Sequence, residues 1–199
     1  MIFHKRILVI RINKKTALYL IMAIGSIVGL VASFSQMMDK IALLKDTSTV
    51  LACNINDFFS CSTVLNSPQS SVLGPPNALI STVMFTILLA VALVALTGGT
   101  ISKYMRFFTQ FLAFFTLCFG SWFLYESIFV IQSLCIYCIF NIFGLLFVNA
   151  TWLRVNYLDI KTNTRFDSAV KGLVEKNFDI LLWLTIAVAI AASAIIKFL

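Results

Sequence analysis

Four cysteines are the residues whose type and spacing could do chemistry. Cys135 and Cys138 form a C-x-x-C at the head of one apolar segment. Cys53 and Cys61, eight residues apart, lie in a long polar loop ahead of another. On a helix, positions i and i+3 share a face. A helix's first turn also offers unpaired N–H groups and the positive end of its dipole, both of which stabilise a thiolate. Ser133 stands at the expected N-cap of such a helix. Thiolate is the attacking species in disulfide exchange, and it is equally the species that reacts with a quinone ring. Two dithiol pairs with little other chemistry around them suggest a relay, passing electrons from one pair to the other and on to a carrier dissolved in lipid.

The elements that position them are apolar. Of 199 residues, 60% are hydrophobic and 12% charged, against roughly a quarter charged in soluble domains. Five stretches meet the rule of about 20 apolar residues per span, at approximately 17–38, 78–97, 107–131, 134–153 and 180–196. The last, at 17 residues, suits a thin or locally compressed bilayer. The first is too long for the apolar core of a cleaved signal peptide. The chain is expected to be a single membrane domain over 1–199.

Charge sets the orientation. Lys5, Arg6, Arg11, Lys14 and Lys15 precede the first span with no acid among them. Lys103 and Arg106 lie between the second and third spans, and Arg154, Lys161, Arg165, Lys171 and Lys176 between the fourth and fifth. The loop 39–77 holds only Lys40 and Lys45, against Asp39, Asp46 and Asp57. The positive-inside rule therefore puts residues 1–16 in the cytoplasm and the C-terminus outside. All four cysteines of the two pairs then face an oxidising exterior. The net charge of +7 reflects topology. No basic patch is interleaved with aromatics, so nucleic acid is not an expected partner.

Along the chain, Gly25 and Gly29 make a small-xxx-small pattern that permits close helix packing, and equally matches the ordinary glycine content of membrane helices. The loop 39–77 closes with Gly74-Pro75-Pro76-Asn77, a strong breaker. Its apolar content, including Val64, Leu65, Val72 and Leu73, suggests that it lies on the bundle. Spans three and four form a tight outer hairpin broken at 126–133, where Glu126 and Gln132 read as solvated ends.

The cysteines admit other readings. Four of them could complete a zinc site, but an oxidising exterior disfavours free thiols and the lone His4 is on the other side. Two structural disulfides are a further reading, although a C-x-x-C bridge closes too small a loop to restrain much chain. Four cysteines allow three pairings, which the sequence leaves open. Cys118, mid-span among phenylalanines, reads as a buried small hydrophobe. A proton- or ion-coupled carrier would need ionisable residues within its spans, and almost none are there.

The order and spacing Cys53-x7-Cys61, then Ser67, Gly74 and Asn77, then Cys135-Ile-Tyr-Cys138, resemble the vitamin K epoxide reductase (VKOR) family. The resemblance covers about 17–153, and the fifth span matches the extra helix of bacterial members. The other membrane disulfide-generating family, DsbB, carries its C-x-x-C in the first outer loop, the opposite order.

The resemblance implies an all-α integral membrane fold: a four-helix transmembrane bundle around a quinone, a fifth peripheral transmembrane helix, and an outer loop capping the mouth. Cys138 would touch the quinone, ubiquinone or menaquinone. Cys135 would be its disulfide partner and exchange with Cys61, and Cys53 would exchange with a partner protein. Ser67 and Asn77 match the family's loop serine and carrier-binding asparagine, although as turn residues they also have ordinary loop roles. Val64 and Leu65 match positions that wall the ring.

The implied activity is a thiol:quinone oxidoreductase of the bacterial inner membrane that generates disulfides in a periplasmic thioredoxin-fold, DsbA-like protein. A quinone or vitamin K epoxide reductase using the same relay is the alternative, and a non-catalytic membrane protein with static disulfides the other. Two departures stand out. The animal enzymes carry Thr-Tyr-Ala shortly after the C-x-x-C, where this chain reads Asn141-Ile142-Phe143. Many bacterial members also continue into a thioredoxin-like domain, whereas this sequence ends at Leu199, so a separate partner is expected.

Overall fold

The computed structural model describes residues 13–56, 58–159 and 165–198. Most of the basic N-terminal segment, 1–12, and Asp57 lie outside them. Seven α-helices are described: α1 (Lys14–Lys45), α2 (Cys61–Asn66), α3 (Asn77–Leu96), α4 (Lys103–Tyr125), α5 (Ile136–Asp159), α6 (Arg165–Glu175) and α7 (Phe178–Phe198). A 3-10 turn at Pro68–Ser71 follows α2, and α4 runs on into a π-helical turn at Glu126–Ile131. Helices Lys14–Lys45, Asn77–Leu96, Lys103–Ile131 and Ile136–Tyr157 are long and apolar enough to cross a membrane. Phe178–Ser193 is a shorter apolar helix. The chain is an all-α membrane bundle with α7 as an added helix.

The centre of the bundle is α1 against α5 and α3, and its closeness depends on glycine. A Cβ at Gly144 would stand 2.7 Å from the Gly25 carbonyl oxygen, and one at Gly29 would fall within 2.0 Å of the Phe85 ring. The two backbones touch, so Gly25 and Gly29 act as the packing motif that their spacing allows. Buried amides tie further helices together. Asn149 Nδ2 donates to the Ala113 carbonyl at 3.0 Å, and Asn156 Nδ2 to Gln110 Oε1 at 2.5 Å, both joining α5 to α4. Such bonds replace water that the bilayer interior cannot supply.

The outward faces are apolar, as lipid requires. Ile24, Val31 and Phe34 of α1 and Phe108, Phe111 and Phe114 of α4 are exposed. Cys118 lies on this outward face of α4 and is exposed, which corrects the expectation that it is buried. The connection between α5 and α7, a run of mixed charge, is partly helical. It contains α6, whose Val174 is buried and whose Lys171 and Glu175 approach to 3.9 Å. Arg154 of α5 reaches past it to Asp179 at the start of α7, with Nε–Oδ2 2.6 Å and Nη2–Oδ1 2.9 Å.

Candidate functional site

The loop between α1 and α3 folds back onto the bundle and brings its cysteines inward. Leu51, Cys53, Cys61, Val64 and Leu65 are all buried. Polar side chains close the loop on itself. Asn54 Oδ1 accepts from the Ser62 N–H at 3.1 Å while its Nδ2 donates to Ser62 Oγ at 2.9 Å. Ser60 caps α2, its Oγ accepting from the Thr63 N–H. Cys53 and Cys61 are joined in a disulfide, whereas Cys135 and Cys138 are free thiols. Of the bonds that the three pairings allow among these four cysteines, Cys53–Cys61 alone is formed.

A short strap fixes this loop against the C-x-x-C. Phe59 and Leu134 form an isolated parallel β-bridge. The Leu134 N–H donates to the Phe58 carbonyl at 2.7 Å, and the Ser60 N–H to the Leu134 carbonyl at 3.1 Å. Ser133 is part of this strap. Its Oγ lies 3.4 Å from the Phe58 carbonyl and 3.3 Å from that of Ser60, and its own carbonyl accepts from Ser127 Oγ. The expected N-cap role for Ser133 is therefore corrected. Helix α5 starts at Ile136, so Cys135 holds the N-cap position, and its carbonyl accepts from the Cys138 N–H at 3.0 Å.

The strap sets two sulfurs side by side. Cys135 Sγ lies 3.5 Å from Cys61 Sγ, in reach of thiol–disulfide exchange. The Cys135 thiol is pulled below its ordinary value, first by the side-chain hydrogen bond with Cys138, then by the backbone N–H groups of Cys138 and Tyr137. Burial and the Asp39 carboxylate push the other way. Asp39 Oδ2 stands 3.4 Å from Cys53 Sγ and is hydrogen-bonded by Tyr137. While Cys53 is in the disulfide it has no proton to donate, so this contact becomes a hydrogen bond only on reduction.

Cys138 also borders a cavity of about 60 Å³, lined by Gln36, Asn77, Asn141, Met84 and Phe119 and, from the loop, Leu73. Gln36 Nε2 donates to Cys138 Sγ at 3.4 Å, and Asn141 Nδ2 donates to Gln36 Oε1 at 3.3 Å. The amide oxygens of Asn77 and Asn141 are buried and have no partner. A buried unpaired amide is costly, so these two oxygens mark a place where a polar ligand group fits. The volume is far below the several hundred Å³ of a ligand pocket; a ring can enter only if side chains such as Met84 or Phe119 move aside.

The residues expected from the sequence divide into two groups. Cys53, Cys61, Cys135 and Cys138 converge, and Asn77 lines the cavity beside Cys138. Ser67, Val64 and Leu65 are not among its lining residues. Ser67 Oγ donates to the Val64 carbonyl at 2.8 Å, and Val64 and Leu65 pack in the core beneath the loop. The Leu65 carbonyl is taken up by Lys40 Nζ at 2.5 Å and Ser70 Oγ at 2.7 Å. Gln36, Asp39 and Tyr137 were not singled out from sequence. A glutamine in the C-terminal part of an apolar span and an acid just past its end are the signals that could have found the first two. Among the described residues no cluster of three or more His, Cys, Asp or Glu side chains could hold a metal ion.

Residues 20–152 match the model of the vitamin K epoxide reductase family. Comparison with individually curated proteins returns no match. The family match spans the four central helices, the loop and both cysteine pairs. The chain thus belongs to the vitamin K epoxide reductase family, membrane redox enzymes that act on thiols and quinone.

Proposed function

We propose that this protein is a thiol:quinone oxidoreductase that generates disulfides in a soluble thioredoxin-fold partner. The observation that carries this reading is the 3.5 Å approach of Cys61 Sγ to Cys135 Sγ, which joins the loop disulfide to the C-x-x-C. A partner dithiol attacks Cys53–Cys61 and leaves as a disulfide, and Cys53 and Cys61 become thiols. Cys61 thiolate then attacks Cys135 of a Cys135–Cys138 disulfide, expelling Cys138 thiolate. Cys53 attacks Cys61 in the mixed disulfide, restoring Cys53–Cys61 and releasing Cys135. The described arrangement, with the loop oxidised and the core reduced, corresponds to the end of this sequence.

Closing Cys135–Cys138 again releases two electrons and two protons. A quinone in the cavity beside Cys138 supplies the acceptor for both. Asn77 and Asn141 are the residues that would meet its polar groups, and Met84 and Phe119 would cover its ring. An apolar groove of about 380 Å³ along α5 and α7 shares Ile142 with the cavity, which suits a lipid-soluble acceptor. Where the animal enzymes carry the tyrosine of Thr-Tyr-Ala, Ile142 offers no hydroxyl, which weighs against epoxide reduction.

The Lys and Arg distribution supports a cytoplasmic N-terminus in a bacterial inner membrane, with the cysteines facing the periplasm. Val50 and Ile55, exposed beside Cys53, give a partner an apolar landing. The deciding experiment is anaerobic quinone reduction by the purified protein with a reduced thioredoxin-fold donor, comparing wild type with Cys138→Ala and Cys53→Ala. Turnover by wild type alone supports the relay. A wild type that reduces no quinone with any thiol overturns it.

A further inference from the structure

Cys138, Gln36 and Asn141 form a chain of hydrogen bonds that ends on a buried, unpartnered oxygen of a cavity-lining residue. Gln36 Nε2 donates to Cys138 Sγ at 3.4 Å, Asn141 Nδ2 donates to Gln36 Oε1 at 3.3 Å, and Asn141 Oδ1 is buried without a partner. Gln36 is 4% exposed and Asn141 8%. Neither can turn to water instead. Two amides in series have a property that a single amide lacks. Turning only one by a half-turn sets oxygen against oxygen or nitrogen against nitrogen, a repulsive arrangement with a lost hydrogen bond. Turning both restores the bond with the opposite sense. The pair therefore has two matched states.

In the first state Gln36 offers N–H to Cys138, which suits a thiolate, and Asn141 keeps its oxygen free for a donor entering the cavity. In the second, Gln36 Oε1 accepts from a Cys138 S–H, and Asn141 shows its N–H groups. A free amide oxygen accepts from the O–H of a quinol; an N–H donates to the carbonyl of a quinone, so quinone is taken up beside the protonated thiol and reacts only after Cys138 has lost its proton. We infer that Asn141 is the group that tells quinone from quinol, and that Gln36 couples its orientation to whether Cys138 carries a proton. This inference rests on the thiol:quinone reading above. The amide turn transfers no proton. The two protons and two electrons lost when Cys135 and Cys138 form a disulfide both end on the acceptor, which becomes quinol.

Linkage makes this testable without turnover, because a ligand that favours one protonation state must shift the titration of that group. The titratable groups around Cys138 are Cys135 beside it, Cys61 beyond Cys135, and Asp39 with Tyr137 further out along α1 and α5. Among the cavity-lining residues, α3 and α4 present Asn77, Thr116 and Phe119 and no charged side chain. Quinol does not oxidise thiols, so fully reduced protein can be held anaerobically with a short-chain ubiquinol. The alkylation of Cys138 is then followed against pH by mass spectrometry, with and without the quinol.

In wild type, quinol moves the midpoint to lower pH by about one unit, a tenfold coupling within the usual range. In Gln36→Met and Asn141→Leu the midpoint no longer responds to quinol. Gln36→Met keeps the side-chain length, and retained reaction of Cys53–Cys61 with a soluble dithiol shows that each variant is folded. The same quinol shift in both variants overturns the inference, as does a wild type that reduces quinone yet shows no shift. If wild type neither reduces quinone nor binds quinol, the functional reading falls and takes this inference with it, a result distinct from the other two.

Discussion

Cys61 Sγ and Cys135 Sγ stand 3.5 Å apart although 74 residues separate them in the chain. Sulfurs at that distance exchange if one is a thiolate and the other sits in a disulfide. The first prediction follows directly. In a Cys53→Ala, Cys138→Ala double variant neither resolving thiol remains, so Cys61 and Cys135 accumulate as a stable disulfide under mild oxidation. Non-reducing peptide mapping checks it. Recovery of both as free thiols would mean that the observed approach is not used.

The strap at Leu134 is what holds those sulfurs together, and its backbone donor is the vulnerable part. Leu134→Pro removes the N–H that meets the Phe58 carbonyl at 2.7 Å. A fall of about tenfold in loop-to-core exchange is expected, the equivalent of roughly 1.4 kcal/mol. The Cys53–Cys61 disulfide itself, formed within the loop, should persist. Stopped-flow exchange and thiol counting give the two readouts. Ser133→Ala, which removes one weakly held hydroxyl, should cost about 1 kcal/mol or less.

The Cys135 titration should respond to two substitutions with opposite sign. Its thiol is held low first by the side-chain hydrogen bond with Cys138, so Cys138→Ala moves Cys135 alkylation to higher pH. The Asp39 carboxylate pushes the same thiol up, so Asp39→Asn moves alkylation to lower pH. Exchange that needs Cys135 as thiolate is lost below its pKa, so its acid limb moves in the same directions. Equal profiles in all three proteins would contradict the assigned causes.

The glycine contact between α1 and α5 leaves no room for a methyl group. Gly144→Ala would place Cβ 2.7 Å from the Gly25 carbonyl oxygen, which as backbone cannot swing aside. Overpacking of this kind costs typically about 1–3 kcal/mol. A lower thermal midpoint in detergent is the expected result, with weaker loop-to-core exchange because Gln36 and Cys138 sit on the same two helices.

Arg154→Ala isolates the role of α7. It leaves the Asp179 carboxylate, 2% exposed, without the guanidinium that now binds it through two nitrogens. The arginine side chain is itself 24% exposed, so the pair is only partly buried and its loss costs roughly 1–3 kcal/mol. Limited proteolysis near α6 should become faster, while the cysteine chemistry, built on α1, α2 and α5, is retained. Loss of both together would show that α7 supports the core after all.

Much of this protein was readable in the chain alone. The apolar runs had to become helices, because a bilayer leaves a lone segment's backbone no alternative; α1, α3, α4 and α5 are long enough to cross, and α7 is the shorter fifth. The spacing of Cys135 and Cys138, and of Cys53 and Cys61, determined that two dithiols exist and which segments carry them. Pairing was a different matter. A disulfide depends on the distance between sulfurs, and the strap at Phe59 and Leu134 that sets this distance has no sequence pattern of its own. The same limit explains Ser133, whose neighbours suggested a helix cap while the loop's carbonyls claimed its hydroxyl. It also explains Cys118, since a mid-span residue can face protein or lipid and only the rotation of α4 decides. Gln36, Asp39 and Asn141 come from helices that meet only in the folded bundle. Their types were visible in the sequence, but what they do near the cysteines depends on which atoms stand within hydrogen-bond reach, and that belongs to tertiary structure alone.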